Sequence, residues 1–288
     1  MGSVAIIGVT GTIGSRIASE LAERDHDVLG IARRPGEGAA GVRHVAVDLT
    51  DPDAAARVLD GVESVYLTPP MAGADPLALE RAVTTSVIDA ARRNGVRHVV
   101  MHTALHADRG DTGARILDDK QPLEAMLAAS GVPYTILRPA WFLQNLHGAR
   151  SWLERGMFSM PWPSDMVWAA TDVDDVARAA VAFLEGEPAN RGFDVHLPGG
   201  VTAAAICRAV EEATGHSVAY QEAPGTREAV EAYPIGEAHK ALYAELFDYF
   251  KAGAYLGDPL AITEVVEGFE YGTVEDFVRR ELFVGVHA

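Results

Sequence analysis

The segment from Ser3 to Gly14 constrains the fold most. Ser3-Val4-Ala5-Ile6-Ile7 is a short apolar run that reads as a buried strand. It leads into Gly8-Val9-Thr10-Gly11-Thr12-Ile13-Gly14, with glycines at every third position. Ile13, Ile17, Ala18, Leu21 and Ala22 then recur on one helical face. Strand, glycine-rich turn and helix, in that order, are the context a dinucleotide-binding loop requires. The first glycine permits the tight turn, the second lets the backbone approach a pyrophosphate, and the third lets helix and strand pack closely. The free N–H groups of Thr10, Thr12 and Ile13 then face the phosphates, with the helix dipole behind them.

A second strand, Asp27-Val28-Leu29-Gly30-Ile31-Ala32, runs into Arg33-Arg34-Pro35. An NAD site usually carries an acidic residue near this strand end to hold the ribose 2′-hydroxyl. Here Ala32 and two arginines take that place, and a guanidinium suits the 2′-phosphate of NADP through charge-assisted hydrogen bonds. NADP(H) is the expected cofactor, with Arg33, nearer the strand end, as the first candidate and Arg34 as the second. Asp48 and Leu49 follow a third strand, Arg43–Val47, and are expected on the adenosine side. Thr68 and Pro69 follow a fourth, Ser64–Leu67, and are expected beside the nicotinamide, because ligands in such folds bind outside the strand C-termini.

The alternation continues. Leu79, Val83, Val87 and Ala91 mark a long helix ending near Asn94-Gly95. Val96–Met101 reads as a fifth strand and Tyr134–Leu137 as a sixth, with a helix through Leu123, Met126 and Leu127 between them. This pattern predicts an α/β fold: a doubly wound parallel Rossmann sheet with a smaller, mostly helical C-terminal substrate lobe. Residues 1–150 are expected to form the NADP-binding domain, with 171–200 returning to it; 151–170 and 201–288 are expected to form the lobe. Trp141–Leu153 reads as a helix, Phe193–Leu197 as a strand, and the last ninety residues as mostly helical.

The formal net charge of −17 over 288 residues opposes binding to nucleic acid or an anionic membrane surface. No apolar stretch approaches a membrane span. The N-terminal strand starts without a charged-then-apolar leader, so a cytoplasmic location is expected. Cys207 is the one cysteine, which rules out an internal disulfide, and no Cys/His cluster has metal-site spacing. No metal is expected, and a monomer or homodimer fits.

The glycine loop, Arg33-Arg34, Asp48-Leu49-Thr50, Ser130-Gly131-Val132-Pro133-Tyr134-Thr135-Ile136-Leu137-Arg138-Pro139-Ala140-Trp141-Phe142-Leu143-Gln144-Asn145 and Thr273-Val274-Glu275-Asp276-Phe277 together resemble the NmrA-like family of atypical short-chain dehydrogenase/reductases. The resemblance spans essentially the whole chain. Ser130–Asn145 is its most specific part, although Ala140 stands where that wording usually has glycine. It implies an NADP-binding Rossmann domain with a small C-terminal lobe, and it places Pro139 and Trp141 on the cofactor side. It does not imply one activity: some members reduce quinones, imines or phenylpropanoid-type substrates, and others resemble redox sensors without turnover.

Typical short-chain dehydrogenases use a Tyr four residues before a Lys, with a Ser from the loop after the fifth strand. Here Lys120 matches the Lys, but Ile116 occupies the Tyr position and Thr103 is the nearest stand-in for the Ser. A simple alcohol dehydrogenase is therefore disfavoured. Lys120 is the leading catalytic candidate, since a lysine in a desolvated cleft can donate a proton; it can equally hold the nicotinamide ribose, or pair at the surface with Asp118 or Asp119. His102 and His106, after the fifth strand, are each a candidate acid or base or a structural residue. Met71, Trp141, Phe142, Trp162, Tyr233 and Tyr243 are expected to line a pocket for a flat apolar substrate, core packing being the alternative for each.

The expected function is hydride transfer from NADPH to a small conjugated or aromatic carbonyl, quinone or imine. That chemistry asks little of the protein beyond placing the nicotinamide against the acceptor. The alternatives are a non-catalytic NADP(H)-sensing module that binds a partner protein, and a biosynthetic tailoring enzyme running non-redox chemistry on the same fold.

Overall fold

Alternation along the first strand sets the layers. In the computed structural model, which describes residues 2–34, 40–231, 233, 235–253 and 255–283, Val4 and Ile6 of β1 (Ser3–Ile7) point into one apolar layer and Ala5 and Ile7 into the other. The chain continues through α1 (Thr12–Glu23), β2 (Asp27–Ala32), β3 (Val42–Ala46), α2 (Pro52–Val58), β4 (Val62–Leu67), α3 (Pro76–Asn94) and β5 (His98–His102). Next come α4 (Arg115–Asp118), α5 (Gln121–Ala129), β6 (Tyr134–Pro139), β7 (Trp141–Phe142) and α6 (Arg150–Leu153). The rest is β8 (Met157–Met160), β9 (Ala170–Thr171), α7 (Val173–Glu185), β10 (Gly192–Val195), α8 (Ala203–Thr214), β11 (Ala219–Glu222), α9 (Thr226–Glu231), α10 (Glu237–Lys251) and α11 (Val274–Phe277).

Seven strands pair in the order β10-β6-β5-β4-β1-β2-β3, every pair parallel. The order reverses between β1 and β4, which opens a crevice beyond their C-terminal ends. Helices α1 and α7 cover one face through Ile13, Ile17, Leu21, Val176 and Ala180. Helices α2, α3 and α5 cover the other through Ala55, Val83, Val87, Leu123 and Leu127. The segment 173–195 therefore supplies a covering helix and the outermost strand next to β6.

Helix ends follow their local chemistry. Asp75 caps α3 by accepting from the Ala78 N–H at 2.9 Å, Pro76 occupies its first turn, and Gly95 ends it with φ +67°. Asp51 caps α2 and Asp172 caps α7 in the same way.

Beyond Pro139 the local pattern is a weaker guide. The stretch 141–153 is not one helix. Trp141 and Phe142 pair with Ala170 and Thr171, and a 3₁₀ turn over Leu143–Ala149 leads into α6. Strand β11 also breaks the run expected to be helical; it pairs in parallel with β8, and its short, largely exposed residues leave no apolar signature.

The lobe core gathers Leu153, Phe158, Trp162, Trp168, Ile206, Phe247, Phe250 and Phe277. Cys207 lies in this core, and burial pushes its thiol up to about 11. Among the described residues, no helix is long and apolar enough to cross a membrane.

Candidate active site

The glycine loop is built so that only glycine fits at Gly8 and Gly14. Gly8 turns the chain with φ +81°, and its N–H donates to the Ile31 carbonyl at 3.1 Å. A Cβ on Gly14 would lie 2.3 Å from the Gly8 carbonyl oxygen, so the first turn of α1 rests directly on the loop. No side chain caps α1, which leaves its first N–H groups available to an anion. A cradle this tight, ending in an uncapped helix, fits the pyrophosphate of a dinucleotide.

Two grooves flank the cradle. One, of about 110 Å³, runs past Gly8, Thr10, Ala32, Arg33, Asp48 and Leu49. Arg33 forms part of its wall, whereas Arg34 lies outside the lining; both are exposed. The Asp48 carboxylate accepts from the Thr50 N–H at 3.0 Å and the Thr50 hydroxyl at 2.7 Å. Those bonds hold it below the usual carboxylate range, with Arg33 adding a smaller pull. Asp48 therefore shapes the turn that walls the groove. The second groove, about 470 Å³, passes Gly8, Gly11, Thr12, Ile13, Gly14, Thr68, Phe142 and Asn145.

Beyond it lies a cavity of about 270 Å³, which shares Ile13, Thr68, Phe142 and Asn145 with the second groove. Its apolar walls include Met71, Ile116, Pro139, Trp141, Phe142, Tyr243 and Tyr255, with Pro69 at the side of the fourth strand. The polar groups reaching it are Lys120, Glu80, His102, Thr103 and Asn145. Grooves and cavity make one trough along the C-terminal edge of the sheet, at the switch between β1 and β4.

Lys120 is not a surface lysine. It is 5% exposed, and its Nζ donates to both carboxylate oxygens of Glu80, at 2.6 and 2.8 Å. Neither Asp118 nor Asp119 is its partner: Asp118 accepts from Thr112 and Gly113, and Asp119 pairs with Arg81. Glu80 was not among the residues the sequence singled out. It lies on the inward stripe of α3 with Leu77, Val83, Thr84 and Val87, and a carboxylate in such a stripe signals a buried partner.

Thr103, the nearest counterpart of the missing serine, lines the cavity with its hydroxyl committed to a carboxylate. It is buried and donates to Glu124 at 2.7 Å, and Glu124 in turn accepts a forked contact from Arg138. His106 is structural: its Nε2 donates to the Leu256 carbonyl at 3.0 Å and its Nδ1 accepts from the Tyr249 hydroxyl at 2.9 Å, tying the β5 loop to the lobe. His102 lines the cavity, and its Nδ1 lies 3.0 Å from the Tyr66 hydroxyl. Burial, with the nearby Lys120 ammonium, pushes its imidazole down to about 3, so it is neutral across the physiological range.

The aromatic candidates divide. Met71, Trp141, Phe142 and Tyr243 reach the cavity. Trp162 and Tyr233 do not. Trp162 is fully buried against Trp168, Phe247 and Phe250, with ring centroids 5.0, 5.4 and 6.1 Å away. Tyr233 packs on Tyr243 and Phe247. Both hold the lobe together, a role that composition cannot separate from substrate contact. Tyr255 and Leu246, absent from the sequence candidates, contribute cavity wall instead.

Asp172, Asp174 and Glu281 bring carboxylate oxygens within 4.8 Å of one another. Arginines interleave them. Arg16 pairs with Asp174 and Glu281 at 2.6 and 2.5 Å, and Arg280 with Asp172 and Asp174 at 2.6 and 3.0 Å. The cluster reads as an ionic latch between α1, α7 and the segment after α11.

Two desolvated imidazoles, buried His98 and half-buried His102, set a pH dependence. Burial pushes His98 down to about 4, as it pushes His102 to about 3. Below about pH 6.5 the unfolded chain binds protons at these sites that the native chain does not, so stability falls with pH. The slope is at most about 1.4 kcal/mol per pH unit for each histidine. Asp175, pushed up to about 6 by burial, works the opposite way below that pH. The melting temperature is expected to fall from about pH 7 to about pH 5.5, and less steeply in His98→Gln. Identical slopes in the two proteins would contradict this assignment.

A parallel sheet with a glycine cradle at its switch point and an apolar cavity beyond it defines a dinucleotide-binding protein of the Rossmann type. The sequence pattern of the NAD(P)H-binding family matches residues 8–187. The chain is 30% identical over 226 residues to an NAD(P)H azoreductase of Xenophilus azovorans, covering 75% of this chain and 76% of that protein. It is 28% identical over 225 residues to quinone oxidoreductase 2 of Escherichia coli (strain K12), covering 76% and 77%. An Escherichia coli NADPH-dependent quinone oxidoreductase, solved with NADPH, superposes with a TM-score of 0.81 at 23% identity over 96% of this chain and 98% of that one. The chain belongs to the NAD(P)H-binding family.

Proposed function

We propose that this protein uses NADPH to reduce a small, flat, conjugated acceptor: an aromatic or conjugated carbonyl, a quinone or an imine. One observation carries the reading. The cavity next to the glycine cradle is walled by Met71, Trp141, Phe142 and Tyr243 and ends at the buried Lys120–Glu80 pair. A module that only bound the dinucleotide would use the two grooves and the Thr68–Pro69–Pro139 side of the cavity; the side walled by Met71, Trp141 and Tyr243 is room for a second molecule. Two relatives that match over most of their length carry the names azoreductase and quinone oxidoreductase, which supports a conjugated acceptor here.

Gly8, Gly11 and Gly14, with the Thr10, Thr12 and Ile13 backbone, hold the pyrophosphate. Arg33 holds the 2′-phosphate, with Arg34 a surface charge beside it. Leu49 packs on the adenosine side, while Thr68, Pro69 and Pro139 frame the nicotinamide pocket. When bound, the dihydronicotinamide would supply one hydride, that is, two electrons and one proton. The aromatic walls align the acceptor plane and exclude water. As the π bond of the acceptor breaks, its heteroatom gains the electron pair, and Lys120 delivers the proton that neutralises it. Lys120 then regains a proton from solvent. A tyrosine acid is not needed, which is consistent with Ile116 forming cavity wall at that position.

The test is a panel of acceptors assayed by loss of NADPH absorbance. Planar quinones, enones and aromatic imines are expected to turn over, and saturated aliphatic ketones of the same size are not. Equal rates for both sets would defeat the reading. Conversion of a compound with no change in the cofactor would point to non-redox chemistry instead.

Arg33→Ala is expected to weaken NADPH binding by about ten- to a hundredfold, the loss of about 1.5–3 kcal/mol of charged hydrogen bonding. NADH binding should hardly change. Equal losses for both cofactors in a calorimetric titration would remove the 2′-phosphate role from Arg33.

A further inference from the structure

We propose that Tyr66 is a positioning residue: its buried hydroxyl donates to His102 Nδ1 and so fixes the imidazole in the neutral Nε2–H form, whose N–H then donates a hydrogen bond to the heteroatom of the acceptor. This rests on the reductase reading and deepens it, because it assigns the cavity two donors, the Lys120 ammonium and the His102 N–H. The ligand class is correspondingly narrower: a conjugated acceptor with an oxygen or nitrogen lone pair at its reducible end.

The geometry starts on β4. Tyr66 is fully buried within the sheet layer, and its hydroxyl lies 3.0 Å from His102 Nδ1 on the neighbouring strand β5. Burial raises the Tyr66 phenol well above its ordinary value, against a smaller opposing effect of the Thr68 hydroxyl beside it, so it keeps its proton and is available as a donor. With Nδ1 accepting, the ring proton belongs on Nε2. Among the described residues, no protein group bonds Nε2, and the ring lines the cavity.

The surroundings oppose a second ring proton. Lys120, the residue just before α5, is the charged group acting on His102, and Glu80 on α3 is occupied by Lys120. Phe142, 6.1 Å away between centroids, adds only an apolar face. A neutral imidazole placed this way stabilises developing negative charge without giving up its proton, as a fixed dipole does. No proton is transferred from His102; the proton the acceptor gains still comes from Lys120.

The test reads the tautomer directly by long-range ¹H–¹⁵N correlation on ¹⁵N-histidine-labelled protein, with His102 assigned from His102→Gln. Wild type is expected to show a pyrrole-like Nε2 and a pyridine-like Nδ1, unchanged from about pH 8 to about pH 5.5. Tyr66→Phe, checked for its fold by circular dichroism, is expected to mix the two tautomers. With 1,4-naphthoquinone it should also lower kcat about tenfold or more, with little change in the NADPH dissociation constant. An imidazolium or an Nδ1–H form in wild type would overturn the proposal, as would an unaltered tautomer in the variant. The wild-type spectrum needs no turnover and decides the tautomer even if the variant fails to fold. Failure of wild type to oxidise NADPH with any acceptor would overturn the reductase reading separately, and the donor role with it.

Discussion

Replacing Gly14 with alanine is expected to abolish dinucleotide binding. The added Cβ would stand 2.3 Å from the Gly8 carbonyl oxygen, 2.8 Å from the Gly8 carbonyl carbon and 3.1 Å from Val9 Cα. All three are backbone atoms of the turn that holds the pyrophosphate, so no side chain can swing aside. Relief requires α1 to move off β1 or the Gly8 turn to open, and both displace the N–H groups that face the phosphates. The NADPH dissociation constant should rise by about a hundredfold or more, equivalent to about 2.7 kcal/mol. Overpacking costs about 1–3 kcal/mol of stability, partly offset because alanine favours helix over glycine by about 1 kcal/mol. Calorimetry and thermal melts on one preparation separate the two effects. Binding within a factor of about three of wild type would mean that the phosphates sit elsewhere.

The second large effect concerns Lys120. Lys120→Met keeps the side-chain volume and strands the Glu80 carboxylate, itself 4% exposed, without its partner. Breaking a buried pair from one side costs about 3–5 kcal/mol, because the remaining charge is left uncompensated. Loss of the proton donor should also lower turnover by about 10²–10⁴-fold. The double variant Lys120→Met with Glu80→Leu separates the roles: an apolar replacement of both partners is often neutral or stabilising, so stability should return while activity does not. A double variant that regained activity would show that Lys120 acts only through Glu80. A single variant as stable as wild type would contradict the buried pair.

What the sequence made legible was local. The glycine loop, the strand before it and the apolar helix after it are contiguous, and each answers to backbone sterics, so the cradle and the parallel sheet could be read directly. The pairing of Lys120 with Glu80 could not, because 40 positions separate the two residues and only the packing of α3 against α5 joins them. Asp118 and Asp119 were the nearer carboxylates in the chain, but their own bonds to Thr112, Gly113 and Arg81 turn them away. Trp162 and Tyr233 show a different limit. Large aromatic side chains serve cores and pockets equally well, and their placement depends on how α10 and the β8 segment pack. Tyr66 read simply as the apolar end of a strand; its hydroxyl gains meaning only once β4 and β5 lie side by side.

The most direct test of the whole account is a calorimetric titration of the purified protein with NADPH, followed on the same sample by NADPH absorbance after addition of 1,4-naphthoquinone. Saturable NADPH binding, followed by loss of absorbance that is catalytic in protein, is the expected result. Absence of NADPH binding would contradict the cradle, and binding without loss of absorbance across planar acceptors would contradict the reductase.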